Sequence, residues 1–429
     1  MRKLTVQGRW LQWQDGTPFF YLGDTAWELF HRLNREEIEQ YCAVRAAQGF
    51  NVVQAVALSE FAGVTVPNAY GRLPLLLTEG RPDPARPDDS GDDSYWRHVD
   101  FALDTAAAHG LVVGLLPTWG CYWNPAWSQA PVLFDEQNAY QYGRWLGARY
   151  RDRWNLLWML GGDRPMETAE HRRIVDALAR GLREGDDGAH LTTYHPHGCH
   201  QSTEYVADAD WLDFHTAQTG HGVEQCYRSD AVMAAMAAAS PKPYLDAEPR
   251  YEDHPACFDV SLGYTWDAAD VRQNAYWNVL AGACGHTYGN HCVWSMNRKP
   301  EPYFPYVWSE ALRHPGAEQM RHLRRLRESR DFASFRPCPG LAEGGGEGMG
   351  HMAAGQGAGY AYVYTPLGLP FSAELGRLDA GRAVRAAWYD PRTGAETPFA
   401  ILPPDGRASF APPSQGKGND WVLILDVIH

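Results

Sequence analysis

Two carboxylates carry the strongest chemical signal in this chain. Asp163 ends the apolar run Asn155-Leu-Leu-Trp-Met-Leu-Gly-Gly-Asp-Arg-Pro165, and Glu248 ends the shorter run Pro243-Tyr-Leu-Asp-Ala-Glu-Pro249. Each comes where a predicted strand gives way to loop, within two residues of a proline. In an eight-fold βα barrel every strand delivers its last residues to one face, so two such carboxylates would share a pocket. A pair of carboxylic acids across one pocket is the minimum equipment for glycoside hydrolysis, with retention when they stand ~5–5.5 Å apart. Their environments must then split their proton affinities, one held protonated and one ionised. Plainer roles exist for each. Asp163 could cap the helix after Pro165 or pair with Arg164, and Glu248 could pair with Arg250 or another arginine.

Other polar and aromatic side chains close the remaining predicted strands. Asp24, followed by Trp27, closes the first, and Gln54 lies within the second. Trp119 and Tyr122 follow the third, and His195 and His197 the fifth. His215 and Gln218 end the sixth, while Tyr288, Asn290 and Trp294 end the eighth. Such groups suit hydroxyl recognition and the orientation of an acid and a nucleophile. Each also has a reading as a cap, a satisfied core polar group or packing. The histidines His195, His197, His200, His215, His221, His286 and His291 open a rival reading as a metal-dependent hydrolase. That barrel class places its His-x-His pair after the first strand, where this chain has Gly23-Asp24. The expectation is therefore no metal and no cofactor. A second rival is a carbohydrate-binding protein without catalysis.

The elements that must position these residues alternate from about residue 18 to about residue 335. Short apolar runs fall at Phe19–Gly23, Asn51–Leu58, Leu111–Thr118, Asn155–Leu160, Leu191–Tyr194, Trp211–His215, Pro243–Asp246 and His286–Trp294. Near-continuous apolar character is expected of parallel strands buried on both faces. Helical patterns lie between them, at Asn34–Ala47, Asp93–His109, Glu136–Arg153, Thr168–Arg183, Ser229–Ala239, Asp267–Ala283 and Tyr306–Arg330, the last broken near Pro315. Asn34 with Glu37 forms a capping-box start, and Gly49 provides the stop. Strands alternating with helices of this length predict a (β/α)8 barrel over residues 1–335. The Pro-, Asp- and Arg-rich stretch Gly80–Asp93 reads as a loop. After Arg336-Pro-Cys-Pro-Gly340 helical periodicity vanishes and glycine rises. Strand patterns at Tyr360–Tyr364, Ala383–Tyr389 and Trp421–Val427, with a turn at Asp390–Gly394, predict a small all-β sandwich-like domain over residues 336–429.

Composition narrows the partners. The chain has 429 residues, of which 45% are hydrophobic, enough for a large core plus a smaller one. The 17 Trp and 22 Tyr suit stacking on sugar rings, although aromatics also dominate core packing. A net charge of −14 argues against nucleic acid and anionic membranes, and is compatible with a neutral carbohydrate or small glycoside. The 8 cysteines contain no CxxC pair. The first ten residues lack an apolar core of signal-peptide type, and no apolar stretch reaches the roughly 18–20 residues that span a bilayer. The expectation is a cytoplasmic protein with free thiols.

The run Phe20-Tyr-Leu-Gly-Asp-Thr-Ala-Trp-Glu-Leu-Phe30, followed by Gly49-Phe-Asn-Val-Val-Gln54, resembles the opening of apiosidase-like glycoside hydrolases, family 140 and its relatives. Leu160-Gly-Gly-Asp-Arg-Pro165 and Asp246-Ala-Glu-Pro249 resemble that family's two catalytic segments. Trp388-Tyr-Asp-Pro-Arg-Thr-Gly394 is similar to the accompanying β-domain often labelled collagen-binding. The resemblance spans nearly the whole chain. It implies a (β/α)8 barrel with its catalytic carboxylates on strands four and seven, acting with retention on apiose or another furanoside or plant-glycan side-chain sugar. It further implies Asp163 as acid/base and Glu248 as nucleophile. The wider group mostly uses Glu as acid/base in an Asn-Glu-Pro context, where this chain has Gly-Asp-Arg-Pro. The shorter Asp must be offset by loop position or by a smaller furanose ring.

Overall fold

The computed structural model describes residues 3–224, 227–378 and 381–428. Eight short, buried strands form a parallel ring: β1 Tyr21–Thr25, β2 Val52–Val56, β3 Val112–Leu116, β4 Leu156–Gly161, β5 Thr192–His195, β6 His215–Gln218, β7 Tyr244–Asp246 and β8 Gly285–Tyr288. Ladders run without a break in the order β5-β4-β3-β2-β1-β8, and β6 pairs with β7. Two backbone hydrogen bonds close the seams: Asp213 N to Thr192 O at 2.8 Å beside β5 and β6, and Cys284 N to Tyr244 O at 2.9 Å between β7 and β8. The result is a TIM barrel.

The sixth strand departs from its expected place. Pairing begins at His215, whose amide donates to Pro243 O at 2.8 Å. The expected strand residue Trp211 instead donates its indole N–H to Asp176 at 2.8 Å, on the neighbouring helix.

Helices cover the strands. α1 Arg35–Ala47 starts at a reciprocal box: Asn34 Oδ1 accepts from Glu37 N and Glu37 Oε2 accepts from Asn34 N, both at 2.9 Å. α2 is Tyr95–Ala108, α3 Glu136–Tyr150, α4 Ala169–Asp186, α5 Ser229–Ala239, α6 Ala268–Leu280 and α7 Pro315–Glu328. α3 and α4, on either side of β4 in sequence, pack backbone to backbone. A Cβ on Gly143 or Gly181 would collide with the carbonyls of Leu178 or Tyr140 on the facing helix. The segment after β2 is more ordered than its composition predicts. Arg81–Pro87, inside the expected loop Gly80–Asp93, is the second strand of an antiparallel ribbon and pairs with Leu75–Thr78. Its prolines are tolerated because a two-stranded ribbon leaves its outer edges unpaired.

The C-terminal part is an antiparallel all-β domain. A six-stranded sheet runs in the order Arg336–Pro337, Ala353–Gly357, Tyr360–Thr365, Trp421–Val427, Val384–Tyr389, Glu396–Leu402. A three-stranded sheet of Ala342–Gly344, Phe371–Glu374 and Arg407–Phe410 packs Phe371 and Phe410 against Val363, Trp388 and Leu423 of the larger one. Two of these strands lie inside the glycine-rich stretch, Gly supplying the turns between them. The domain sits on α6 and α7. Tyr276 stacks on Tyr364 at 4.9 Å, Trp277 donates to His351 O, and Arg272 pairs with Asp420 at 2.6 Å with both side chains buried.

The described cysteines are free; Cys226 lies outside the described residues. Among the described residues no helix is long and apolar enough to cross a membrane.

Candidate active site

A cavity of about 680 Å³ opens at the C-terminal ends of the barrel strands, and both Asp163 and Glu248 line it. Local geometry explains how each arrives there. β4 ends in three successive left-handed residues, Gly161 (φ +93°), Gly162 (φ +99°) and Asp163 (φ +54°). The glycines are obligatory on two counts, since a Cβ on Gly161 would strike the His195 carbonyl and one on Gly162 the Gly120 amide. Asp tolerates the left-handed region better than most side chains. The helix cap proposed for Asp163 is supplied instead by Thr168.

Glu248 is held by its neighbours' backbone. Asp246, fully buried at the end of β7, accepts from Thr219 Oγ1 at 2.6 Å and Asn278 Nδ2 at 2.9 Å. The amide of Gly220 donates to Glu248 O at 2.9 Å.

The two carboxyls meet opposite surroundings. Burial alone pushes Glu248 upward, but His195 and His221 more than offset it and hold the group down at about 2. His221 Nε2 lies 3.1 Å from Oε1, and its Nδ1 faces Pro249 O at 3.0 Å. His195 Nε2 lies 3.0 Å from Oε2, a close contact whose angles fall short of a well-formed hydrogen bond. Asp163 is pushed up to about 7, by burial first and then by the negative charge of Glu248. Arg164 pulls the other way, its guanidinium 3.1 Å from Asp163 Oδ2, but does not win. The two carboxyls are thus pushed in opposite directions, Glu248 toward its ionised form and Asp163 toward its protonated one, the split that acid–nucleophile chemistry requires.

Of the residues singled out from sequence, Trp27, Trp119, His197, Gln218 and Trp294 line the same cavity, and His195 reaches it through Glu248. Six others are held elsewhere. Asp24 accepts from Tyr41 at 2.5 Å and from Arg45 at 2.7 Å, sealed between barrel and helix. Gln54 fills the barrel interior, bonded to Tyr21, Thr287 and Ala247 O. Tyr122 donates to Ser59 O, and His215 sits 2.8 Å from Ser202 Oγ. Tyr288 donates to Glu252, and Asn290 caps the short helix His291–Trp294. Each of the six has a protein partner, and none of them lines the cavity.

The cavity also takes residues that sequence reasoning passed over: Glu60, Phe61, Trp127, His254, Phe258 and Phe304 among them. Glu60 had a signal. It stands just beyond the apolar run Asn51–Leu58, as Asp163 stands beyond its own. It accepts from Arg164 at 2.7 Å, and burial raises it above the ordinary carboxylate range. The histidines fall into separate groups. His195 and His221 serve Glu248, His254 packs between His221 at 4.5 Å and His291 at 4.3 Å, His197 stacks on His200 at 3.9 Å, and burial holds His291 down at about 3. Among the described residues no group of three or more His, Cys, Asp or Glu has the geometry to hold a metal ion.

Comparison with known proteins agrees with the fold. Residues 5–334 match the family model of the apiosidase-like catalytic domain, and residues 340–426 match one described as a collagen-binding domain of a collagenase. No curated protein matches the sequence. Among solved structures, one described as a glycoside hydrolase shares 30% identity over 99% of this chain and 97% of its own, with a TM-score of 0.88. A glycoside hydrolase family 5 structure from Bacteroides vulgatus shares 32% identity over 99% of this chain and 93% of its own, also with a TM-score of 0.88. A family 27 β-L-arabinopyranosidase from Geobacillus stearothermophilus shares the fold at 11% identity and a TM-score of 0.55, over 95% of this chain and 97% of its own. With a barrel matched across its length and a carboxylate pair in its mouth, this chain belongs to the apiosidase-like glycoside hydrolase family.

Proposed function

We propose that this enzyme hydrolyses its glycoside with retention, Glu248 acting as nucleophile and Asp163 as acid/base. The observation that carries the two roles is a pair of carboxyls lining one cavity, Glu248 flanked by His195 and His221 and Asp163 buried beside Arg164, while retention rests on the resemblance to the family. Protonated Asp163 gives its proton to the glycosidic oxygen as Glu248 attacks the anomeric carbon. The carbon–oxygen bond to the leaving group breaks, and a covalent glycosyl–Glu248 ester forms. Asp163, now ionised, takes a proton from water as that water attacks the same carbon. The ester breaks, Glu248 regains its charge, and Asp163 regains its proton.

The family supports a terminal or side-chain sugar as the substrate, with apiose or another furanoside the first to test. Trp27, Trp119 and Trp294 line the cavity and would stack on the sugar, and Gln218 and His197, also in its lining, would bond its hydroxyls. We place the boundary of the catalytic barrel near residue 336, with the β-domain outside the chemistry.

A panel of aryl glycosides that includes the apiofuranoside would find the sugar. Proton NMR of the first-formed product then reads its anomeric configuration. Retention, with a 2-fluoro glycoside labelling the Glu248 peptide, is expected. Inversion, or a label on another residue, would overturn the assignment.

A further inference from the structure

Glu60 lines the cavity and has no part in the two-carboxyl chemistry. Its partner is Arg164, whose side chain is fully buried. That arginine is wedged in place. It packs against Gly120, where a Cβ would collide with its Cβ and Cγ, and its guanidinium lies 4.6 Å from the centre of the Trp127 ring. Its hydrogen bonds divide by nitrogen. Nη2 donates to Glu60 Oε1 at 2.7 Å, and Nη1 donates to Asp163 O at 2.6 Å and Asp163 Oδ2 at 3.1 Å. Two carboxyls thus share one buried cation.

The distances tell the two apart. Charge-assisted N–H···O bonds run about 2.7–2.9 Å. The Glu60 contact falls in that range, and the contact to the Asp163 side chain is longer, as an uncharged acceptor leaves it. A buried guanidinium stranded without a carboxylate is strongly destabilising. When Asp163 carries the proton that acid catalysis requires, Glu60 is the carboxylate that meets Arg164.

The surroundings fix Glu60 there. Glu28 accepts from Ser59 Oγ at 3.1 Å and from Phe61 N at 3.4 Å, the residues on either side of Glu60. The charge of Glu28 is met by His31 at 2.9 Å and Arg32 at 3.6 Å. Burial lifts Glu60, and Arg164 opposes it, while Glu28 and Glu248 add a smaller upward push. Cys121 is pushed up to about 12 by burial and by Glu60, so it stays a thiol. Asp163 faces Glu248, Arg164, Glu60 and His195, of which His195 is taken by Glu248.

The arrangement serves both halves of the cycle. In the first step the proton leaves Asp163 as the charge of Glu248 passes into the ester, so the total charge of the site is conserved. The new carboxylate on Asp163 already lies beside Nη1, and no counterion has to arrive. In the second step the charge returns to Glu248 and Asp163 retakes a proton from water.

We propose that Glu60 is the standing counterion of Arg164, a positioning residue that lets Asp163 keep its proton between turnovers. This deepens the reading of Asp163 as the acid and rests on it. Without the Glu60 charge, Arg164 takes Asp163 as its carboxylate and the proton is lost.

Glu60→Gln removes the charge and keeps the shape. On an alkyl glycoside of the accepted sugar, whose leaving group needs the acid, the basic limb of kcat/KM should move down by about one pH unit or more. The rate should then fall about five-fold or more at pH 7 and return to near the wild-type value at pH 5, a recovery that a merely structural lesion would not show. Glu60→Asp keeps the charge and should bring the limb at least halfway back. A dinitrophenyl glycoside, whose leaving group departs without a proton, should show no such shift.

Thermal melts read the proton on Asp163 without using activity. At pH 8 Asp163→Asn should raise the melting temperature in the wild-type background and lower it in the Glu60→Gln background, where the carboxylate it removes has become the partner of Arg164. If this reversal appears while Asp163→Asn shows no dependence on the leaving group, the counterion stands and the acid falls. Where Asp163→Asn does behave as loss of the acid, an unmoved basic limb in Glu60→Gln overturns the proposal. The same effect of Asp163→Asn in both backgrounds overturns it whatever the acid.

Discussion

His195 and Glu248 come from the ends of different strands and meet with Nε2 3.0 Å from Oε2. Together with His221 on the other carboxylate oxygen, His195 reverses the effect of burial on Glu248. On the proposed mechanism this contact sets the pH dependence, because that mechanism needs Glu248 ionised and Asp163 protonated in the free enzyme. With Glu248 held at about 2 and Asp163 raised to about 7, kcat/KM should fall above pH 7 and show its acidic limb far below the ordinary carboxylate range. His195→Asn or His221→Asn leaves burial unopposed on that side, so the acidic limb should move up by a unit or more. A pH–rate profile with an unmoved limb would show that the imidazoles do not control the nucleophile.

Glu248→Gln should abolish turnover on every substrate. Asp163→Asn should spare the first step on activated aryl glycosides, damage substrates with poor leaving groups most, and respond to added azide. Equal losses on good and poor leaving groups, without rescue, would make Asp163 structural.

The same substitution should stabilise the protein at high pH. A carboxyl raised from its ordinary value to about 7 resists ionisation in the folded state. Its penalty is absent below pH ~4, grows between pH ~4 and ~7, and is full above. Asp163→Asn removes it, less whatever the Arg164 contact contributed, for a gain on the order of 1–3 kcal/mol at pH 8. Thermal melts at pH 4 and pH 8 check the sign: the variant's advantage should appear only at the higher pH.

Chelation should change nothing. The site's histidines are divided between Glu248 and stacked pairs, and the proposed chemistry needs only two carboxyls. Exhaustive treatment with a strong chelator should leave kcat/KM within two-fold. Inactivation reversed by zinc or manganese would favour the metal-dependent alternative.

The interface between barrel and β-domain should be required for stability. Arg272 and Asp420 are buried as a pair, so Asp420→Ala strands a guanidinium and should cost about 3–5 kcal/mol. Cutting the chain near residue 336 uncovers Tyr276, Trp277 and Arg272 on α6, and should leave an aggregating barrel. A soluble truncation with an unchanged melting temperature would show an independent module.

Much of the framework was legible in the residues. Asn34 and Glu37 announce a capping box that α1 uses, and Asp390–Gly394 announces a turn that the sheet uses. These signals are local: a side chain bonds backbone three or four residues away, so sequence neighbours suffice. Asp163 and Glu248 were legible for a related reason. In a parallel barrel the end of a strand is also a place in space, and an apolar run followed by a carboxylate marks it.

What the sequence by itself determined is thus the alternation of strands and helices, and the two carboxylates at the ends of the fourth and seventh strands. Tertiary structure alone decided which other strand-end groups face the cavity. Asp24 and Gln54 lie on strands buried on both faces, where no polar–apolar alternation distinguishes inward from outward. Their partners, Arg45 and Tyr21, are fixed by packing between elements. Glu60, Trp127 and Phe258 reach the cavity from loops, and a loop's reach depends on what it rests against, as Trp127 rests on Arg164. The charge on the carboxyls was likewise not in their residue types. It comes from His195 and His221 on Glu248, and from burial beside Glu248 on Asp163. Those are distances of about 3 Å between side chains far apart in the chain, and only folding creates them.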